Sequence, residues 1–308
     1  MGKNALKSVS NDEIEAGLKI YGMNSFLDKS DFPHKVETEN AIKLLGTKEN
    51  LKHLIDSYDI KCRYNKISKA TEISIRGVSY TVDNSENALL SELSSLCARN
   101  QLQRTLPQEY ILPIADKDSY NPILDWIEAK PWDGVDRLTD FINTIVVPGD
   151  FEKIKHIYLN KWLMSAVAVL HNEGNLDYEG VLVFQGAQGI GKTRWLKNLL
   201  PEKLKTYIED GALIEPRNKD TIFTACSHWI VEIGELDSTF KASDISDIKR
   251  FITKKTDKLR RPYAREDSLL PRRTVFFGSV NEKSFLKDKT GNRRFWVLPV
   301  ENLFSTSR

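Results

Sequence analysis

The stretch Val181–Leu196, VLVFQGAQGIGKTRWL, decides how the chain is read. Val181 to Phe184 are apolar and rich in β-branched and aromatic types, as in a strand buried on both faces of a parallel sheet. Gly186-Ala187-Gln188-Gly189-Ile190-Gly191-Lys192-Thr193 follows and satisfies G-x-x-x-x-G-K-[ST]. A glycine-free segment then runs through Leu196 and Leu199 to Pro201. Strand, glycine loop and helix in that order give the spacing a chemical meaning. Backbone N–H groups of such a loop curl round a phosphate, and its glycines let the main chain approach without a Cβ in the way. Lys192 would reach the β- and γ-phosphates, the Thr193 hydroxyl would hold Mg²⁺, and Arg194 completes the binding segment. The expected ligand is ATP with Mg²⁺.

Hydrolysis needs more than this loop, because acidic groups must hold the metal and activate water. In His228–Asp237, HWIVEIGELD, an apolar strand carries Glu232 and is followed by Glu235. Ligands of open α/β sheets bind at the carboxyl ends of strands, so these acids are the candidate metal ligand and water activator. Glu232 suits the metal and Glu235 the water, with an exchange of roles left open. A third strand, Thr274–Val280, ends on Asn281, whose amide would sense the γ-phosphate or the attacking water. Beyond it, Arg293 and Arg294 follow a glycine turn before another apolar strand. They read either as an arginine finger, in cis or from a neighbouring subunit, or as a basic surface turn.

Charge is concentrated between the second and third strands. Lys241–Arg273 holds eleven Lys or Arg against five Asp or Glu, although the whole chain is only +2. Lys254, Lys255, Lys258, Arg260, Arg261 and Arg265, with Tyr263 among them, suit phosphate contact and stacking on a single strand. A solvated basic loop is the competing account.

Upstream, residues 1–37 read as a polar leader or linker and 38–113 as a small α+β domain. A helix is expected over Asn40–Leu54. Ile60, Cys62 and Tyr64, then Ile73 and Ile75, then Val78, Tyr80 and Val82 alternate as short strands, and Glu86–Leu102 returns to helical spacing. Residues 114–308 form the expected ATPase domain, with a helical lead-in over 114–178 and a core over 179–300. In that lead-in Asn121-Pro122 opens a helix, and Lys153–His171 reads as a long helix buried on several sides. At 308 residues two domains are the natural expectation. Cys62, Cys97 and Cys226 follow no C-x-x-C spacing, which argues against a zinc site or a disulfide framework and for free thiols in a reducing cytoplasm. No secretory h-region or membrane-length apolar run is present.

Five motifs in order resemble one family: Pro131–Leu138 (PWDGVDRL), the glycine loop, Trp229–Asp237, Arg261–Arg265 (RPYAR) and Gly291–Trp296 (GNRRFW). The pattern, from about Thr38 to Val300, resembles the virulence-associated protein E family of phage and prophage ATPases, related to superfamily 3 helicases. The resemblance implies a P-loop NTPase, AAA+-like α/β fold: a parallel-sheet core preceded by the small α+β domain. It also implies a homo-oligomeric, hexameric ATPase that works on single-stranded or forked DNA in replication of a mobile element, with a primase or another replication protein as partner. The basic segment would be a hairpin facing DNA, and Arg293 or Arg294 a finger acting on the neighbour's ATP. Members often carry a primase-type domain upstream, for which the residues before Thr38 are too few, and further helices after the position of Val300. Two other functions fit the same motifs: an ATPase coupled to a protein partner, and a non-catalytic protein that interferes by occupancy.

Overall fold

A computed structural model describes residues 26–173, 176, 180–234, 236, 242–260, 266–281 and 292–304. The chain divides between Tyr120 and Asn121 into two compact units.

The first unit opens with an antiparallel hairpin, β1 (Lys35–Thr38) and β2 (Ala41–Leu44). Helix α1 (Lys48–Ser57) follows, capped by the Thr47 hydroxyl on the Asn50 N–H. Strand β3 (Lys61–Asn65) pairs antiparallel with β4 (Thr71–Ser74) and parallel with the short β5 (Ser119–Tyr120). Helices α2 (Ser85–Arg99) and α3 (Leu106–Ala115) lie between β4 and β5 in sequence. Leu51, Leu54, Leu93, Leu96 and Leu106 are fully buried in one core, and Cys62 and Tyr64 join it from the inner face of β3. Burial pushes the thiols of Cys62 and Cys97 up to about 12.

Several expectations for this half are corrected. Part of the supposed leader belongs to the unit, because Phe32 is buried in its core. The helix expected over Asn40–Leu54 is a strand followed by a helix: Thr47 caps at its own position, so α1 starts only at Lys48. Val78–Val82 is no strand; Val82 is 96% exposed and the Tyr80 hydroxyl donates to Glu92 instead. The boundary expected at Pro113 falls inside α3, where the proline sits close to the helix end.

The second unit begins with α4 (Pro122–Glu128), capped by the Asn121 side chain on the Leu124 N–H. Then come α5 (Leu138–Asn143), β6 (Ile145–Val146) and α6 (Glu152–Ala168). Asp133 and Asp136 shape the turn before α5. Asp133 binds both terminal nitrogens of Arg137 at 2.7 Å, while Asp136 accepts from the N–H groups of Leu138 and Thr139. Helix α6 is narrower in its burial than its composition suggests. Leu159, Trp162 and Ala166 form the buried stripe, whereas Met164 is 71% exposed.

Five parallel strands follow: β7 (Val181–Gln185), β8 (Ile208–Ala212), β9 (Ile230–Ile233), β12 (Val275–Val280) and β13 (Phe295–Pro299). Their spatial order is β13-β7-β12-β9-β8, so β12 separates the glycine-loop strand from the acidic strand. Side-chain alternation gives the sheet two dry faces. On one, Phe184 and Phe277 meet edge to face, Trp195 of α7 (Lys192–Lys197) packs on Phe184, and Trp162 of α6 packs on Phe277. On the other, Val181, Val183, Val231 and Phe276 pack with α8 (Lys219–Cys226) and α9 (Ala242–Ile252). Between α9 and β12 the chain forms an antiparallel hairpin, β10 (Thr256–Arg260) and β11 (Asp267–Pro271). The last strand, β14 (Asn302–Leu303), pairs antiparallel with β6.

Candidate nucleotide site

The glycine loop leaves the carboxyl end of β7 under tight steric control. Gly186 donates its N–H to Val280 O, and a Cβ there would lie 2.4 Å from Val300 O. Gly189 and Gly191 have φ of +87° and +96°, in the left-handed region that favours glycine. The turn delivers Lys192 to the first position of α7, where its side chain folds back under the loop. Its Nζ donates to Gly186 O at 2.6 Å, Ala187 O at 3.0 Å and Asn281 Oδ1 at 2.9 Å. Asn281 stands just beyond β12, so the cation and the amide meet across adjacent strand ends.

One residue on, the Thr193 hydroxyl donates to Glu232 Oε1 at 3.0 Å. Ser279 of β12 donates to the same oxygen at 2.7 Å. Glu232 is buried, and burial pushes its carboxyl above the ordinary range. The two hydroxyls and Lys197 pull the other way, and the negative charge of Asp210 on β8 adds to the upward push. Gln188, Gly189, Arg194, Ser279 and Asn281 line the open cavity of about 330 Å³ above these groups. Oxygen donors, a lysine and backbone turned by left-handed glycines can hold a polyphosphate with a hard divalent cation.

The virulence-associated protein E-like domain matches residues 127–307, well over half of the chain. The chain belongs to this family. Among curated proteins no relative matches it. Solved structures similar to it include the apo structure of the NrS-1 C terminal region (305-718), with a TM-score of 0.49 and 15% identity, covering 84% of this chain and 63% of that one. An A form apo structure of the same region gives 0.48 and 15%, with the same coverage. The chain thus spans about 63% of the length of these structures.

Within the virulence-associated protein E-like domain, the sequence-predicted residues divide into four groups. Gly186, Gly189, Gly191, Lys192, Thr193, Glu232 and Asn281 converge at the carboxyl ends of β7, β9 and β12. Glu235, Arg261, Tyr263, Arg265 and Gly291 lie outside the described residues. Arg293 and Arg294 lie elsewhere on the sheet. They form a turn immediately before β13, and Phe295 is in register with Val181 at the start of β7. They therefore stand at the amino ends of the strands, opposite the carboxyl-end glycine loop and roughly 17 Å from it at about 3.3 Å per strand residue. That separation weighs against the in-cis finger reading.

The basic segment is a hairpin as far as it is described. Lys258 is exposed on β10, and Lys254 faces Asp257 at 3.5 Å. Lys255 is half-buried, and Arg260 ends the strand. Ser279 and Asp210 were not singled out from sequence. Ser279 left one signal, a small hydroxyl inside the otherwise apolar run Val275–Val280. Asp210 left none, because β8 (IEDGA) has neither alternation nor an apolar run.

Proposed function

We propose that this family member is a Mg²⁺-dependent P-loop ATPase of the superfamily 3, AAA+-like kind. It would act on single-stranded or forked DNA as a helicase-like motor or replication-initiation protein of a phage, prophage or pathogenicity island. One observation carries the reading: two hydrogen-bonded groups, Lys192 with Asn281 and Thr193 and Ser279 with Glu232, meet side by side at the glycine loop. Lys192 would exchange the carbonyls of Gly186 and Ala187 for phosphate oxygens. Thr193 and Glu232, both oxygen donors, would hold Mg²⁺, and Asn281 would orient the γ-phosphate or the attacking water. Glu235 is the proposed water activator. Bound Mg²⁺ would neutralise charge developing on the phosphates.

Position at the amino ends of the strands, away from the glycine loop, favours Arg293 and Arg294 as fingers for a neighbour, which calls for a homo-oligomer, a hexameric ring by family resemblance. The β10–β11 hairpin would present Lys258, Arg260, Arg261, Tyr263 and Arg265 to DNA, with Lys254 and Lys255 at its base, in the bacterial cytoplasm and alongside a primase or another replication protein. Among the described residues no helix is long and apolar enough to cross a membrane.

The test is ATP turnover with and without single-stranded DNA for the wild type, Lys192→Ala and Glu235→Gln. Turnover should rise with DNA, fall steeply with salt and be lost in both variants. Turnover indifferent to DNA at every salt concentration would move the protein to the partner-coupled class. A biological effect that survives Lys192→Ala would mark a non-catalytic role.

A further inference from the structure

A second cavity adjoins the phosphate site and shares Gly191 and Arg194 with it. Its remaining walls are of another kind: Ile190, Trp195, Leu303 and Phe304, with the Asn198 amide as the polar exception. At about 180 Å³ it is too small for a whole nucleotide. Joined to the neighbouring space, it falls within the roughly 300–1,000 Å³ of small-molecule sites.

This cavity is built from three parts of the second unit. Trp195 forms a fixed wall: it stacks on Phe141 with centroids 5.1 Å apart, and its indole N–H donates to the Thr144 hydroxyl at 3.0 Å. The same Thr144 accepts, through its backbone carbonyl, the Phe304 N–H at 2.9 Å. Strand β14 is thereby fastened along β6, with Leu303 opposite Ile145. Strand β6 is held in turn by the buried Lys155, whose ammonium donates to Ile145 O at 2.9 Å. Despite this anchoring the Phe304 side chain is 55% exposed, an aromatic group left bare beside a phosphate-shaped loop.

We propose that this second cavity is the base subsite for the nucleotide, with Phe304 as its stacking platform and Asn198 at the base's polar edge. The inference rests on the P-loop reading of the first cavity. An aromatic face with an aliphatic wall is the environment in which a nucleobase stacks, and one amide supplies both a donor and an acceptor to its edge. The larger π-surface of a purine gains more from such a platform than a pyrimidine does. Arg194, common to both cavities, sits where base and phosphates diverge.

The test separates base from phosphate by titrating Mg·ATP, Mg·CTP and Mg·tripolyphosphate into the whole chain and its Phe304→Ala, Asn198→Ala and Lys192→Ala variants. Phe304→Ala should weaken ATP binding by about tenfold, as loss of one stacked base does, and leave tripolyphosphate binding as it was. CTP should bind the wild type more weakly than ATP and lose less from Phe304→Ala, and Asn198→Ala should narrow the gap between ATP and CTP. Because the Phe304 main-chain bond survives truncation, an unchanged melting temperature is expected of that variant. Equal losses for ATP and tripolyphosphate in Phe304→Ala, or no loss for either, overturn the subsite alone. Failure of both ligands to bind the wild type, or indifference of both to Lys192→Ala, overturns the phosphate reading and the subsite with it.

Discussion

Thr193 and Glu232 meet at 3.0 Å although their segments do not belong to neighbouring strands. Strand β12 runs between β7 and β9, and it adds Ser279 to the same carboxylate oxygen. The two hydroxyls offset part of the cost of burying a carboxylate there. What burial still costs is visible in the carboxyl's upward shift. A divalent cation held beside that carboxylate would relieve the cost.

Replacing Glu232 with glutamine should separate stability from activity. A carboxyl raised in the folded state holds its proton more tightly there than in the unfolded chain. The benefit is full below the ordinary carboxylate range and is lost as pH rises through the folded value. Glu232→Gln lacks that loss and can still accept both hydroxyl bonds. Its melting temperature without nucleotide should therefore gain on the wild type as pH rises from 4 towards 8, while ATP turnover falls by about a hundredfold or more. Parallel melting curves across that range would show that the carboxylate carries no burial penalty.

Ser279→Ala probes the same oxygen from the other side. A hydrogen bond to a charged group contributes roughly 1.5–3 kcal/mol, so its removal should raise the Glu232 carboxyl further. In the pH profile of ATP hydrolysis the acid limb should move to higher pH, and Ser279→Thr, which keeps the hydroxyl, should restore it. A limb unmoved in Ser279→Ala would leave the serine with a packing role.

The core of this site was legible because its chemistry is local. Gly186 to Thr193 are consecutive, and Glu232 interrupts an apolar run where an unpartnered acid is costly. Asn281 was legible as a polar tip on a strand. Register was not. Nothing in Phe295–Pro299 alone says that its amino end pairs with the amino end of β7, and that pairing moves Arg293 and Arg294 away from their own loop. The helix expected over Asn40–Leu54 fails for a related reason, since four residues of strand are too short for period two to be told from a frayed helix. Phe304 carried no pattern at all; only its backbone bond to Thr144, 160 positions earlier, places it beside the glycine loop.

A buried ion pair fixes the base of the basic hairpin. Arg272, just after β11, donates from Nε and Nη2 to Asp257 Oδ2 at 3.0 and 2.5 Å, and its third group of contacts reaches Phe251 O and the Phe251 ring. Both side chains are almost fully buried, and Cys226 Sγ donates to the same carboxylate oxygen. Arg272→Met leaves the buried carboxylate with only the half-exposed Lys254 at 3.5 Å and the Cys226 thiol, so the loss in chemical denaturation should approach the roughly 3–5 kcal/mol of a broken buried pair. Arg272→Met with Asp257→Leu should recover a large part of it, because no buried charge is left. Equal destabilisation of the single and double variants would show that the guanidinium acts by packing on Phe251 alone.

The proposal that Arg293 and Arg294 serve a neighbour's nucleotide gives the clearest prediction about assembly. Chains carrying Arg293→Ala with Arg294→Ala should hydrolyse little ATP, and so should chains carrying Lys192→Ala. Each type keeps the part that the other lacks. In a head-to-tail ring formed from equal amounts of both, about one interface in four joins an intact loop to intact arginines. Mixing two nearly inactive proteins should therefore restore about a quarter of wild-type turnover, and lowering the concentration until the ring dissociates should abolish it. A mixture no more active than its parts, with assembly shown by sedimentation, would mean that the arginines serve the subunit that carries them or the surface alone.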